Sequence, residues 1–146
     1  MTAIKLKNPV LERLTDEEFY QFCADNRDLR IERDATHQIT IMPLASSESG
    51  AANSELNCQL AHWNRQHAQG IAFVSSAGFT LHTGAMLSPD ASWIAQGRWD
   101  ALGPDDRRGF ARICPDFVVE LLSPSDRPTD AMRKMEHWLG AGGRLG

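Results

Sequence analysis

The spacing of apolar and polar positions predicts a helix and a hairpin in the first third of the chain. Apolar side chains recur at helical spacing in residues 16–25, behind a capping box in which Thr15 and Glu18 pair with the free amides of the helix start. Residues 29–32 and 38–42 alternate between apolar and polar positions on either side of a polar turn. This pattern is typical of two paired antiparallel strands.

A longer helix is predicted in the middle of the chain. Small and polar residues at 45–50 predict a loop, and Leu56, Leu60, Trp63 and His67 then form a stripe at i, i+4, i+7 and i+11 within residues 51–68. Gly70 is predicted to end this helix, because glycine readily adopts the conformation that follows helix C-termini. A meander of short strands is expected next, at residues 71–76, 78–82 and 90–95.

The last third of the chain combines a connection, a strand and a helix. Glycine, proline and arginine are frequent in residues 96–114, which predicts a long connection with one helical turn. Residues 117–122 predict a strand, and a helix is expected to begin near Pro128. Its apolar face is formed by Met132, Met135 and Leu139. Residues 144–146 look like the approach to a further strand.

Length and composition indicate one ordinary globular domain spanning residues 1–146. Hydrophobic residues make up 42% of the chain and charged residues 23%. No apolar run is long enough to span a membrane, and the N-terminus lacks the pattern of a secretory signal. The three cysteines are far apart and form no metal-binding pair, so we expect a cytoplasmic location and no disulfide framework.

Net charge narrows the choice of partners only slightly. A net charge of −4 argues against a high-affinity nucleic-acid binder, which usually carries a basic face. Eight of the 15 lysine and arginine residues nevertheless lie after residue 97. This distribution allows a local surface for phosphate groups but does not demonstrate one.

Two carboxylates in apolar surroundings are the strongest chemical signal. Asp90 opens one predicted strand, and Glu120 lies near the end of another. If these strands pair antiparallel, the two carboxylates meet at one end of the sheet. Two acids that converge in this way are typical of a metal site or of acid–base chemistry, and we interpret them as a divalent-metal site. Two simpler alternatives stay open, in which Asp90 belongs to a local turn and Glu120 is neutralised by an arginine.

Two further charged residues are weaker candidates. Lys134 lies on the helix that follows the Glu120 strand, and its simplest interpretation is a solvated lysine paired with Asp130. Glu55 lies on the polar flank of the long helix and forms only a weak metal pairing with His62.

Asp116 shares the strand face of Glu120 but lies at the far end of that strand, so we interpret it as a turn residue. The histidine spacing of a zinc hydrolase is not found, nor are the motifs of serine hydrolases, P-loop proteins or dinucleotide-binding proteins. These absences leave the paired acids as the main guide to function.

Four strings together resemble the Uma-two family, whose members are classed as restriction endonucleases of the PD-(D/E)XK nuclease superfamily and are abundant in cyanobacteria. The strings are Thr15-Asp16-Glu17-Glu18-Phe19, Gly78-Phe79-Thr80-Leu81, Ser88-Pro89-Asp90-Ala91-Ser92-Trp93-Ile94 and Cys114-Pro115-Asp116-Phe117-Val118-Val119-Glu120-Leu121-Leu122-Ser123-Pro124-Ser125. They occur in the family's order, and the resemblance runs from about Leu14 to the C-terminus.

The resemblance implies an α/β fold with a restriction-endonuclease-like core, in which helices flank a mixed central β-sheet. It also implies hydrolysis of DNA phosphodiester bonds with Mg²⁺ or Mn²⁺ as cofactor. Asp90 and Glu120 match the metal-binding acids of the family, and the Leu121 carbonyl is expected to complete an all-oxygen ligand set.

Two positions carry the remaining functional expectations. Leu122 stands where the superfamily has its lysine, and Lys134 matches the position on the next helix from which family members supply it. Lys134 is therefore expected to orient the attacking water or to stabilise developing charge. Glu55 corresponds to an acid that the superfamily often places on its first core helix.

The chain stops at Gly146, where relatives continue into a further strand. We therefore expect a domain without its C-terminal strand, whose open sheet edge favours low stability or the pairing of two copies into a homodimer. Two other functions stay open on this account, namely a catalytically inactive remnant and a structural domain that forms oligomers.

Overall fold

Short strands alternate with helices along the computed structural model, which describes residues 3–146. In chain order the elements are β1 (Ile4–Leu6), α1 (Asp16–Asp25), β2 (Arg30–Arg33), β3 (Ile39–Met42), α2 (Ser47–His67), β4 (Gly70–Val74), β5 (Phe79–Thr80), β6 (Met86–Leu87), β7 (Ala91–Ala95), α3 (Gln96–Asp100), α4 (Pro104–Arg107), β8 (Phe117–Val119) and α5 (Pro128–Gly140), with a 3₁₀ turn at Leu11–Arg13. Within residues 3–146, no helix is both long enough and apolar enough to cross a membrane.

The strands form two antiparallel sheets. Sheet 1 has the order β1-β3-β2-β6-β5, and sheet 2 has the order β4-β7-β8. The predicted α/β class is confirmed, although the expected single mixed sheet is divided in two. Parallel pairing between the described residues is limited to two isolated bridges, from Phe79 to Ala111 and from Phe117 to Leu145.

Two apolar clusters hold the sheets and helices together. Phe19 of α1 packs with Ile31, Ile39 and Met86 of sheet 1. The larger cluster includes Phe79, Ile94, Val118 and the fully buried Trp138 of α5. Because the second cluster draws on both sheets and on α5, it fixes the helix over the place where the sheets meet.

The first helix and the hairpin form as predicted. The α1 helix spans Asp16–Asp25, with the Thr15 hydroxyl accepting from the Glu18 amide and the Glu18 carboxylate accepting from the Thr15 amide. Strands β2 and β3 pair antiparallel in the register that places Ile31 opposite Ile41. These elements are local in sequence, and their caps and alternation decide their structure.

The long helix has different ends from those predicted. It begins at Ser47, inside the expected loop, because the Ser46 hydroxyl accepts from the Ser49 amide and caps the first turn. Its last residue is His67, and the following residue, Ala68, adopts the left-handed conformation with φ of 49°. Gly70 instead begins β4, where a Cβ atom would lie 2.2 Å from the Ile94 carbonyl oxygen.

The connection and the strand that follow it also differ from the prediction. Residues 96–114 contain two short helices, α3 and α4, in place of one turn. Strand β8 ends at Val119, three residues earlier than expected, and Leu122 is 56% exposed. Strand β6 was not predicted, because a pair of two-residue strands carries too few positions to show alternation.

The C-terminal helix is correctly placed, but its predicted apolar face is wrong in part. Met132 and Leu139 are 66% and 45% exposed, whereas Trp138 is fully buried and Met135 packs against the core. Beyond α5, the Val118 amide donates to the Leu145 carbonyl at 3.1 Å, so the segment at 144–146 lies alongside β8.

Candidate active site

Antiparallel pairing of β7 with β8 brings Asp90 beside Glu120. Ala91 lies opposite Val119, and the Asp90 amide donates to the Val119 carbonyl at 3.0 Å. Oδ2 of the Asp90 side chain accepts from the amide of Leu121, two residues beyond the end of β8, at 2.7 Å. Asp90 is only 8% exposed, so its carboxylate is fixed at this end of sheet 2.

Lys134 reaches this end of the sheet from α5. Its Nζ lies 3.0 Å from Glu120 Oε1 and 2.9 Å from Glu32 Oε1. It does not pair with Asp130, which instead forms a 4.0 Å ion pair with Arg133 on the exposed side of the helix. The simple interpretation of Lys134 as a solvated lysine is therefore wrong.

Trp138, one turn further along α5, donates from Nε1 to Glu120 Oε1 at 2.9 Å. Burial raises the pKa of Glu120, and the attraction of Lys134 and the hydrogen bond from Trp138 lower it without cancelling that effect, while the nearby negative charge of Glu32 adds to the rise. Burial also lowers the pKa of Lys134, but the attraction of Glu32 and Glu120 outweighs it and leaves that pKa above its usual value. Lys134 is therefore a fully charged ammonium at neutral pH.

Two residues of the hairpin join the site and were not anticipated from the sequence. Arg30 Nη1 donates to Asp90 Oδ1 at 3.1 Å, and its Nη2 donates to the Ser88 carbonyl. Glu32 is 6% exposed and accepts from the Ser88 amide at 3.0 Å in addition to Lys134. In the sequence, Arg30 and Glu32 are the polar positions of an alternating strand, a pattern that normally marks a solvent face.

The long helix contributes asparagines and not its glutamate. Asn53 Nδ2 donates to Asp90 Oδ1 at 3.2 Å, and Asn57 Nδ2 donates to the Asp90 carbonyl at 3.0 Å. Glu55 lies two residues from each, about 200° around the helix. It is exposed and accepts from Gln59 at 2.9 Å, so the structure does not bring it to Asp90.

Asp116, expected to be a turn residue, is buried at the opposite end of β8. It accepts from the Ala95 amide at 2.9 Å and forms ion pairs with Arg98 at 2.9 Å and Arg144 at 3.4 Å. Its backbone carbonyl accepts from the amides of residues 144 and 145. Asp116 therefore anchors the C-terminal segment and lies apart from the candidate site.

The donor set is compatible with a hard divalent cation. Asp90 and Glu120 offer carboxylate oxygens from adjacent strands, and Mg²⁺ commonly uses one or two carboxylates and fills its other positions with water and phosphate oxygens. The three carboxylates of the site outnumber its two cationic side chains, which leaves a net negative charge. No cluster of three or more histidine, cysteine, aspartate and glutamate side chains suited to a metal occurs in the part of the chain that the structure describes.

A cavity of about 400 Å³ opens next to the site. It lies between the first turns of α2 and the segment after β8, and is lined by Glu48, Ser49, Ala52, Leu122, Ser123 and Pro124. Both walls connect directly to Asp90, one through Asn53 and the other through the Leu121 amide. The cavity therefore borders the two chain segments that hold the Asp90 carboxylate.

Comparisons with known proteins identify the family and the fold. A family model named Uma2 and described as "Putative restriction endonuclease" matches residues 16–146, and the chain belongs to this family. Among solved structures, the fold is similar to the crystal structure of a "putative nuclease belonging to DUF820" from Anabaena variabilis ATCC 29413. The match has a TM-score of 0.68 at 20% identity and covers 90% of this chain and 73% of that chain, which establishes a restriction-endonuclease-like fold. No curated protein matches the chain.

Proposed function

We propose that this chain is a metal-dependent endonuclease that hydrolyses phosphodiester bonds in DNA, with Mg²⁺ or Mn²⁺ as cofactor. The observation that carries the proposal is the meeting of Asp90, Glu120 and Lys134 at one end of sheet 2, in a member of a family described as restriction endonucleases. Restriction-endonuclease-like proteins as a class use divalent metals, and DNA is the substrate that the family description implies.

The residues of the site divide the chemistry between metal binding and charge stabilisation. Asp90 and Glu120 would hold the cation together with the Leu121 carbonyl, and a bound cation would supply a more acidic water molecule and offset charge on the phosphate. Lys134 directs its ammonium toward the reacting oxygens and stabilises their developing charge. Leu122 cannot fill this role, because it is apolar and exposed. The proposal leaves Glu55 out of the site, because its carboxylate points away from Asp90.

The proposal is tested with supercoiled plasmid DNA, which reports a single cut as conversion to the nicked form. The purified protein should convert the plasmid to the nicked form in the presence of Mg²⁺ or Mn²⁺. An excess of chelator should stop this conversion. Glu120→Gln should lower the rate by at least about 10²-fold, because it removes a charged ligand at unchanged shape.

Glu136→Gln is the matched control, since Glu136 is an exposed glutamate on α5 that makes no contact with the site. It should cleave at the wild-type rate. Metal-dependent cleavage that persists in Glu120→Gln would exclude this site as its source.

A further inference from the structure

Both cationic side chains of the site have two sets of partners. Lys134 Nζ contacts Glu120 Oε1 at 3.0 Å and Glu32 Oε1 at 2.9 Å. Arg30 contacts Asp90 Oδ1 at 3.1 Å, and its other terminal nitrogen contacts the Ser88 carbonyl and lies 3.9 Å from Glu32 Oε1. Each cationic side chain therefore contacts one proposed metal ligand, which is Glu120 for Lys134 and Asp90 for Arg30. Each also lies near Glu32, which is not a proposed ligand.

Glu32 itself has no role in the function proposed above. It belongs to β2 of sheet 1, whereas Asp90 and Glu120 directly adjoin β7 and β8 at one end of sheet 2. Its carboxylate is 6% exposed, and the Ser88 amide fixes one of its oxygens at 3.0 Å. A carboxylate this deeply buried persists only where cations compensate it, and here the compensating cations are Lys134 and Arg30.

Metal binding makes a specific demand on this arrangement. When Asp90 and Glu120 bind a divalent cation, Arg30 and Lys134 lose these acids as partners and are repelled by the new positive charge. Buried cations without a counter-ion are strongly disfavoured, so this loss would oppose metal binding. Glu32 lies within reach of both side chains and is not engaged by the metal.

From this geometry we propose that Glu32 is a positioning residue that retains Lys134 and Arg30 while Asp90 and Glu120 bind the metal. Glu32 thereby favours metal binding without being a ligand. It also keeps the Lys134 ammonium at the edge of the site, where the reaction uses it. The inference rests on the proposed function, since it requires that Asp90 and Glu120 bind a divalent cation.

The test measures Mn²⁺ affinity by calorimetry in a double-mutant cycle. Glu32→Gln keeps the side-chain shape and the oxygen that accepts from Ser88, but removes the charge. It should weaken Mn²⁺ binding by about tenfold, because Lys134 then competes for Glu120. Lys134→Met alone should change the affinity by less than about threefold, whereas the same change in the Glu32→Gln background should restore it to near the wild-type value.

The possible results separate this role from others. If Mn²⁺ binding is weak in Glu32→Gln and Lys134→Met does not restore it, Glu32 is a direct ligand and the proposal is overturned. If the effects of the two substitutions on Mn²⁺ affinity are strictly additive, Glu32 acts only through its long-range charge, which also overturns the proposal. If wild type binds Mn²⁺ and Glu32→Gln binds it equally well, only this inference fails. If wild type does not bind Mn²⁺, the proposed function fails and the inference with it.

Two further measurements apply whether or not Glu32→Gln folds. Glu32→Asp keeps the charge on a shorter side chain and should retain most of the wild-type affinity, which a purely structural role would not predict. In the wild-type protein, the ¹⁵N resonance of the Lys134 ammonium should stay visible after Mg²⁺ is added, because Glu32 still holds it. Loss of that resonance through exchange with water would overturn the proposal.

Discussion

Lys134 is the residue on which the proposed chemistry depends most directly. Its ammonium comes from α5, not from the strand that carries Glu120, and lies 3.0 Å from Glu120 Oε1. We expect Lys134→Ala to lower DNA cleavage by about 10²-fold or more, because a positioned charge stabiliser is lost. Metal affinity should change little, since Lys134 is not a ligand.

Arg133→Ala is the control for this prediction, because Arg133 is adjacent in sequence and pairs with Asp130 on the exposed side of α5. Plasmid nicking measured under one set of conditions compares the two variants with wild type. Equal nicking rates in Lys134→Ala and Arg133→Ala would show that Lys134 has no role in the reaction.

At the residue scale, the sequence predicts Asp90, Glu120 and Lys134, but not the two residues of β2 that contact them. Asp90 and Glu120 stand out because each is a charge in an apolar strand. Arg30 and Glu32 do not stand out, because they occupy the polar positions of an alternating strand. The polar face of that strand is covered only in the folded protein, where Lys134 and Ser88 pack against it.

At the scale of elements, the start of α1 is held by charge as well as by its cap. Asp16, the first residue of the helix, pairs with the fully buried Arg33 and with Arg112, whose Nη1 lies 2.9 Å from Oδ2. Arg33 also donates to the carbonyls of Leu14 and Gly84. This ion pair therefore connects α1 to sheet 1 and to the turn before β6.

Asp16→Asn should lower the free energy of unfolding at neutral pH by about 3 kcal/mol, the lower end for removing one partner of a buried pair, since the Asp16 side chain is 30% exposed. Burial alone would raise the pKa of Asp16, but the two arginines outweigh it and hold that pKa below its ordinary value of 3.8. The stabilisation is therefore complete above about pH 4 and is lost as the pH falls through the lowered native pKa. Urea unfolding at pH 7 and pH 3 should show a smaller difference between variant and wild type at pH 3.

Substitution of two glycines tests the close contact between β4 and β7. Gly70→Ala should destabilise the protein by about 1–3 kcal/mol, because the new Cβ would lie 2.2 Å from the Ile94 carbonyl oxygen and 2.4 Å from the Trp93 ring. Gly50→Ala is the matched control, since Gly50 lies inside α2 with open space around it. Gly50→Ala should raise the free energy of unfolding by about 0.5–1 kcal/mol. Melting temperatures that change in the same direction in both variants would contradict the close contact at Gly70.

The boundaries of elements were predicted less well than their existence. The cap at Ser46 and the left-handed Ala68 set the ends of α2, and neither belongs to the apolar pattern from which the helix was predicted. Glycine is common just after helix ends, which predicts a helix end at Gly70, whereas the close approach of β7 is what requires glycine at this position. Local caps therefore decide the ends of α2, and contact with a distant strand decides the place of Gly70.

At the scale of the whole molecule, the candidate site is a junction. Glu32 comes from sheet 1, Asp90 and Glu120 from sheet 2, and Lys134 from α5. Alternation along the chain predicts each strand, but it carries no information on how two sheets meet. The predicted homodimer stays a prediction, to be checked by measuring the molar mass in solution.

Because the site joins two sheets and a helix, ligand binding there should be coupled to global stability. Mn²⁺ at about 100 times its dissociation constant should stabilise the folded state by about 2.7 kcal/mol, which for a domain of this size is on the order of 5–10 °C in the melting temperature.

Asp90→Asn should abolish this shift while leaving a cooperative transition, since Asn53, Asn57 and the Leu121 amide can still contact the amide side chain or the backbone at position 90. Glu55→Gln should keep the full shift, because Glu55 lies on the far side of α2. Equal shifts in wild type and Asp90→Asn, measured by scanning calorimetry, would place metal binding elsewhere in the molecule.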